Sequence, residues 1–304
     1  MTWTPSDIPD LTGRRVVVTG PTHGGLGYVT ALELARRGAC VVLAGRSSVR
    51  LAEAEGAVRS EVRDAEVATV VLDLADLASV RRAAAEIMDA GEVDVLVNNA
   101  GIMATPRGRT ADGLELQLGT NHFGPFLLTG LLLPALAGSG GGRVVTVSSI
   151  GHRMARSAPL GDPARIPTPY RPWETYGRTK LANLLFAYEL DRRLRGAGLP
   201  VRSLAAHPGV SDTHLVANGK SFRWLNAIAV RGNALISQSP EMGARPTLMA
   251  ATADLPGGTY VGPSGPLQWA GPPRVVTSRP LARDPEAARA LWELSERVTG
   301  LSYP

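Results

Sequence analysis

The chain has 304 residues, 44% hydrophobic and 19% charged, enough for a sizeable core in one large α/β domain or two small ones. Its 32 basic and 27 acidic residues leave a net charge of +5, but the basic residues are dispersed and only 5% of the chain is aromatic. That distribution argues against a nucleic-acid surface and leaves an anionic small ligand as the better match for some of the charge.

The single Cys40 excludes a disulfide framework and a cysteine zinc cluster, and no metal site is expected. Its place in the apolar run 40–44 reads as a buried strand position rather than a reactive thiol. The first residues, Met1-Thr2-Trp3-Thr4-Pro5, lack a basic stretch followed by an apolar one, and no run of about 18 apolar residues occurs. The expectation is a cytoplasmic protein with no membrane span.

In chain order, 14–20 is a β-branched run ending at glycine, which predicts a fully buried strand. The turn Gly20-Pro21-Thr22-His23-Gly24-Gly25-Leu26-Gly27 follows, then a helix over 28–37 closed by Gly38, then a strand over 40–44. Strand, glycine turn, helix, strand is the setting a dinucleotide fingerprint requires, because glycines let backbone N–H groups approach a pyrophosphate at a helix N-terminus. The second strand ends in Gly45-Arg46-Ser47-Ser48 with no acid before Glu53. A carboxylate there would take a ribose 2′-hydroxyl. The Arg46 fork and the Ser47 hydroxyl suit a 2′-phosphate instead, which selects NADP(H) over NAD(H). The competing reading is a solvated Arg46 at the start of the next helix.

A strand over 67–72 leads to Asp73-Leu74, a contact for adenine, and Asp76 is an N-cap for a helix to about residue 90. A strand over 93–97 closes at Asn98-Asn99-Ala100-Gly101, whose asparagines either hold the loop against a cofactor or serve structure alone. A long helix over about 111–136 carries Asn121 in an apolar neighbourhood, where its amide must find partners. A strand over 143–147 runs into Ser148-Ser149, and 151–172 is a proline-rich insert.

Next come Tyr176 and Lys180, four residues apart and so on one face of the helix that Tyr176 opens. A cation beside a phenol brings its proton within working reach at neutral pH. A strand over 201–206 ends at His207-Pro208-Gly209. The segment 213–239, with Phe222, Trp224 and Leu225, either covers an apolar pocket or packs as core. A helix over 240–253, a strand over 259–261 and a tail helix over 285–298 complete the pattern. The βαβ alternation predicts a single three-layer α/β domain of Rossmann type, with a doubly wound parallel sheet of about seven strands flanked by helices. Within it, 14–110 reads as the cofactor half, 111–262 as the catalytic half and 263–304 as a C-terminal cap.

Together, Thr19-Gly20…Gly25-Leu26-Gly27, Asp73-Leu74, Asn98-Asn99-Ala100-Gly101, Asn121, Ser148-Ser149, Tyr176…Lys180 and Pro208-Gly209 resemble the short-chain dehydrogenase/reductase family. The likeness is strongest to its retinol-dehydrogenase-like and protochlorophyllide-reductase-like members. The resemblance implies a catalytic group of Asn121, Ser149, Tyr176 and Lys180. Tyr176 would exchange a proton with the substrate oxygen as hydride moves, and Ser149 would hydrogen-bond that oxygen. Lys180 would lower the phenol pKa and bind the nicotinamide ribose, and Asn121 would hold a water between Lys180 and solvent. It further implies cofactor contacts at Gly20, Thr22, Gly25, Leu26, Gly27, Asn99, Ala100, Gly101, Pro208 and Gly209, with the Val210 backbone and the Thr213 hydroxyl fixing the carboxamide.

Two features depart from the family pattern. The glycine turn is one residue longer, and the Ser149-to-Tyr176 interval is extended by the insert, which would shape one wall of the substrate pocket. The function expected is an NADP(H)-dependent oxidoreductase acting on a bulky, largely apolar ketone, aldehyde or alcohol. The alternative is a non-catalytic NADP(H)-binding sensor with a protein partner. Oligomeric state stays open.

Overall fold

The computed structural model describes residues 2–210 and 238–304. Eight strands form one sheet in the order β3-β2-β1-β4-β5-β6-β7-β8. They are β1 (Arg15–Thr19), β2 (Cys40–Gly45), β3 (Val67–Val71), β4 (Val95–Asn98), β5 (Arg143–Val147), β6 (Arg202–Ala206), β7 (Tyr260–Pro263) and β8 (Pro273–Val275). Seven run parallel. The eighth pairs antiparallel with β7 and adds an edge the sequence reading did not include.

The pleat divides each strand between two layers. Val16 and Val18 pack with α1 (Leu26–Ala35), α2 (Ser48–Glu61) and α7 (Pro240–Thr252) on one face of the sheet. Val17 faces α3 (Leu77–Asp89), α5 (Gly124–Gly138) and α6 (Pro172–Gly196) on the other. Both faces are covered, so the strands are continuous apolar runs rather than alternating ones. Cys40, at the start of β2, is only partly buried, and burial raises its thiol pKa, so it is not poised as a nucleophile.

The long helix expected over 111–136 starts later, at Leu116, and runs to Gly138 through a π turn. A short α4 (Leu116–Leu118) starts where the buried Glu115 carboxylate accepts the N–H groups of Gln117 and Leu118. A π turn, Gly119–Phe123, then carries Asn121 before α5 begins. The helix of Tyr176 starts a turn early, with Pro172 in its first turn.

The last helix, α8 (Pro285–Thr299), packs on α6, and Trp292 stacks on Phe186 at 5.9 Å and meets Phe126 edge-on at 5.0 Å. Beyond it, the Tyr303 hydroxyl donates to the Phe126 carbonyl at 3.0 Å, and its ring fills the space over Gly130.

The order of the sheet reverses between β1 and β4, which opens a crevice at their C-terminal ends. Thr19 ties the two ends together. Its hydroxyl accepts from the N–H groups of Asn99 and Ala100 at 3.0 and 2.9 Å.

Candidate functional site

The glycine turn stands on one side of that crevice. Gly20 and Gly24 take φ of +68° and +75°, a region costly for other residues. A Cβ on Gly27 would lie 2.4 Å from the Asn99 amide nitrogen and 2.6 Å from the Gly20 carbonyl oxygen. The extra residue of the turn is taken up outward: Gly25 N–H closes on the Thr22 carbonyl at 2.9 Å, leaving Thr22 and His23 exposed. No side chain among the described residues caps the α1 N-terminus at Gly25, which leaves the first-turn N–H groups without a side-chain acceptor there.

At the end of β2, Arg46 is exposed and forms no ion pair or hydrogen bond with any described residue, while Ser47 caps α2 through the Arg50 N–H. Asp73 is half-buried, with one carboxylate oxygen holding the Ala75 N–H, and Leu74 is buried. Asn99 donates to the Thr19 and Gly20 carbonyls, so its amide braces the glycine turn from below. Asn98 instead donates to the Thr129 hydroxyl inside the core.

The catalytic candidates converge at the ends of β4 and β5. Ser149 follows β5, and its hydroxyl accepts the Gly151 N–H at 3.0 Å. It lies against the Tyr176 hydroxyl, close enough to lower that phenol's pKa. A Cβ on Gly151 would sit 3.0 Å from the Tyr176 ring and 3.3 Å from Ser149 Oγ, so the turn and the phenol pack tightly there. A Cβ on Gly101 would lie 3.2 Å from Asn121 Oδ1 and 3.4 Å from Lys180 Nζ, which shows those two atoms facing one small space.

The electrostatics differ from the sequence expectation. Lys180 Nζ is 5.8 Å from the Tyr176 ring centroid and donates to the Val147 carbonyl at 3.0 Å. Burial dominates both groups. It pushes the Tyr176 phenol up to about 12, with only the Ser149 hydroxyl pulling it down, and pushes the Lys180 ammonium down to about 8. The pair therefore holds a firmly protonated phenol rather than one lowered by its neighbouring cation.

Asn121 is also more committed than expected. Oδ1 accepts the Ile102 N–H at 2.8 Å, and Nδ2 donates to the Ile102 carbonyl and to Thr179 Oγ1. Both amide protons are used, so a water shared with Lys180 can be held only through the second lone pair of Oδ1. Val210 likewise has its N–H on the Trp269 carbonyl at 2.7 Å, and its carbonyl takes the Gln238 N–H. It has no free donor for a carboxamide. Thr213 and the apolar residues Phe222, Trp224 and Leu225 lie outside the described residues.

The insert forms a cavity of about 460 Å³, but against the flank of α6. Glu115, Leu118, Pro163, Arg165 and Arg178 help to line it, and none of the four catalytic candidates does. Trp173 stands closer to the chemistry: exposed, with its ring edge-on to Tyr176 at 6.3 Å.

Ser148, the structural member of the serine pair, donates to the Lys180 carbonyl. Two supporting residues escaped the sequence reading. Asn183 shares the Val147 carbonyl with Lys180. His152 bonds the Ser149 carbonyl. Only the last carried a sequence signal, a histidine three residues after the serine.

A nicotinamide dinucleotide fits these residues. The glycine cradle leaves no room for a Cβ at positions 20 and 27. The buried Lys180 ammonium keeps donors beyond its one bond, free for ribose hydroxyls.

A family model described as short chain dehydrogenase matches residues 14–160. Human retinol dehydrogenase 13 is 39% identical over 97% of this chain and 87% of its own. Mouse polyprenol dehydrogenase is 40% identical with the same coverage of both chains. The crystal structure of a putative uncharacterized protein from Mycobacterium paratuberculosis superposes with a TM-score of 0.82 at 44% identity, covering 100% of both chains.

Proposed function

Because the chain belongs to the short-chain dehydrogenase/reductase family, in its retinol-dehydrogenase-like branch, we propose that it interconverts a bulky, largely apolar alcohol and its ketone or aldehyde with NADP(H). The observation carrying this reading is the meeting of the Tyr176 and Ser149 hydroxyls at the mouth of the crevice whose other wall is the glycine turn.

The cofactor would supply or accept the hydride. Tyr176, protonated through the neutral range, donates its proton to the carbonyl oxygen in reduction and recovers it in oxidation. Ser149 Oγ receives the Gly151 N–H, which polarises its own O–H toward that oxygen as charge develops. Lys180 holds the ribose with the donors Val147 leaves free, and the Asn121 side chain fixes the 101–102 backbone beneath it.

Arg46 supports NADP(H), since its fork serves no carboxylate among the described residues. The exposed Trp173 beside Tyr176 supports an apolar substrate. So do the names of two relatives, since retinol and polyprenol are both isoprenoid alcohols.

The test is hydride transfer followed by NADPH absorbance, with apolar ketones, aldehydes and alcohols and with Tyr176→Phe as the control. Turnover lost by about a thousandfold or more in that variant, with cofactor binding kept, is expected. Cofactor binding without any turnover in the wild type would favour the sensor reading instead.

A further inference from the structure

His152 is fully buried three residues after Ser149. Its backbone N–H donates to the Ser149 carbonyl at 3.1 Å, and its imidazole Nδ1 meets the same oxygen at 2.6 Å. A carbonyl only accepts, so the proton is on Nδ1 and Nε2 is a bare acceptor. That Nε2 is buried with no hydrogen-bond partner among the described residues. A ring kept only for packing would fill the site better as phenylalanine, with no orphaned nitrogen to desolvate. The position therefore retains an imidazole for its other nitrogen.

What that nitrogen holds is the backbone of Ser149, at the point where β5 gives way to the tight turn Ile150–Met154. The turn has little slack, because Gly177 brings the Tyr176 helix against it with no space for a Cβ, and a Cβ on Gly151 would press on the Tyr176 ring at 3.0 Å. A rotation of the Ser149 peptide would swing Oγ away from the phenol.

We propose that His152 is a positioning residue: by gripping the Ser149 carbonyl through Nδ1–H, it aims the Ser149 hydroxyl at the point where Tyr176 and the substrate oxygen meet. This rests on the oxidoreductase reading above. Burial holds the ring neutral, pushing it to about 4, so the grip is independent of pH across the neutral range.

The contact itself is tested without turnover. Among the five histidines, His152 is expected to show the neutral Nδ1–H tautomer in ¹⁵N NMR of the histidine-labelled protein. His207, whose Nδ1 accepts the Gly209 N–H, shows the Nε2–H form. An Nε2–H tautomer at His152 would overturn the proposal.

Its consequence is tested by turnover. His152→Phe is expected to lower kcat about tenfold or more, with substrate KM and NADPH affinity within about twofold, and His152→Asn, which keeps a donor, to recover most of the loss. In a Ser149→Ala background, His152→Phe should remove no further kcat, since its effect passes through that hydroxyl. A further loss there, equal losses in the Phe and Asn variants, or an unchanged kcat in the Phe variant would each overturn the assignment. If the Phe variant does not fold, a tenfold lower kcat in folded His152→Asn does the same. Wild-type turnover that survives Tyr176→Phe would instead remove the underlying reading, whatever the His152 variants do.

Discussion

Asn121 grips Ile102 at both ends of its amide, accepting the Ile102 N–H and donating to the Ile102 carbonyl, each at 2.8 Å. The π turn makes this geometry, by pointing a side chain from the middle of a long apolar helix toward the loop after β4. Asn121→Leu orphans both backbone groups and is expected to cost about 2–4 kcal/mol. Urea unfolding measures that cost. Hydrogen exchange at 101–104 should rise more than at β5; uniform loosening would show that the grip is not local.

Gly27 and Asn99 cannot both keep their places if residue 27 gains a methyl group. Gly27→Ala puts a Cβ 2.4 Å from the Asn99 amide and 2.6 Å from the Gly20 carbonyl. The turn must shift, and dinucleotide affinity is expected to fall at least about a hundredfold, equivalent to about 3 kcal/mol. Equilibrium binding followed by NADPH fluorescence checks it, and an affinity within threefold of wild type would remove the cradle argument.

Arg46 is the residue whose charge should choose the coenzyme. The wild type is expected to bind NADPH more tightly than NADH. Arg46→Glu should reverse the order, since a carboxylate repels a 2′-phosphate and accepts from a 2′-hydroxyl. Tighter NADH binding by the wild type would remove the coenzyme assignment.

His122 predicts how the fold responds to acid. Its ring is sealed among Phe123, Phe126 and Phe186, with Nε2 on the Ser295 hydroxyl, and burial pushes its pKa down to about 3. The unfolded ring takes a proton below about pH 6.5 while the folded one stays neutral. Stability from this group is therefore complete above that pH and is lost as the pH falls toward the folded pKa. Between about pH 6.5 and about pH 5 the loss is roughly 2 kcal/mol. Urea melts across that range should show His122→Gln with a slope shallower by about one proton, and an unchanged slope would refute the buried neutral ring.

How much of this is legible in the sequence depends on what sets each boundary. β5 is read to the residue, because Gly142 precedes an unbroken β-branched run and two serines follow it. The start of α4 is set by the Glu115 carboxylate, and the start of α6 by Pro172; both are local signals that the apolar periodicity of 111–136 and the pull of the Tyr176–Lys180 pair obscure. β8 is three residues long and exists only because β7 presents an edge, so its own sequence gives little sign of it. Tyr176 and Lys180 are legible from their spacing, and Ser149 and Asn121 join them through the family resemblance. Their environment is not. That Tyr176 is pushed up to about 12 follows from how deeply tertiary packing sinks the helix, which residue spacing does not record.

The C-terminal residues carry one more consequence. With α8 laid on α6 and Tyr303 seated over Gly130, the chain acts as its own lodger on the α5–α6 side. Two copies pressing those helices together would first have to evict it, stripping Phe126, Phe186 and Trp292 of their shared shelter.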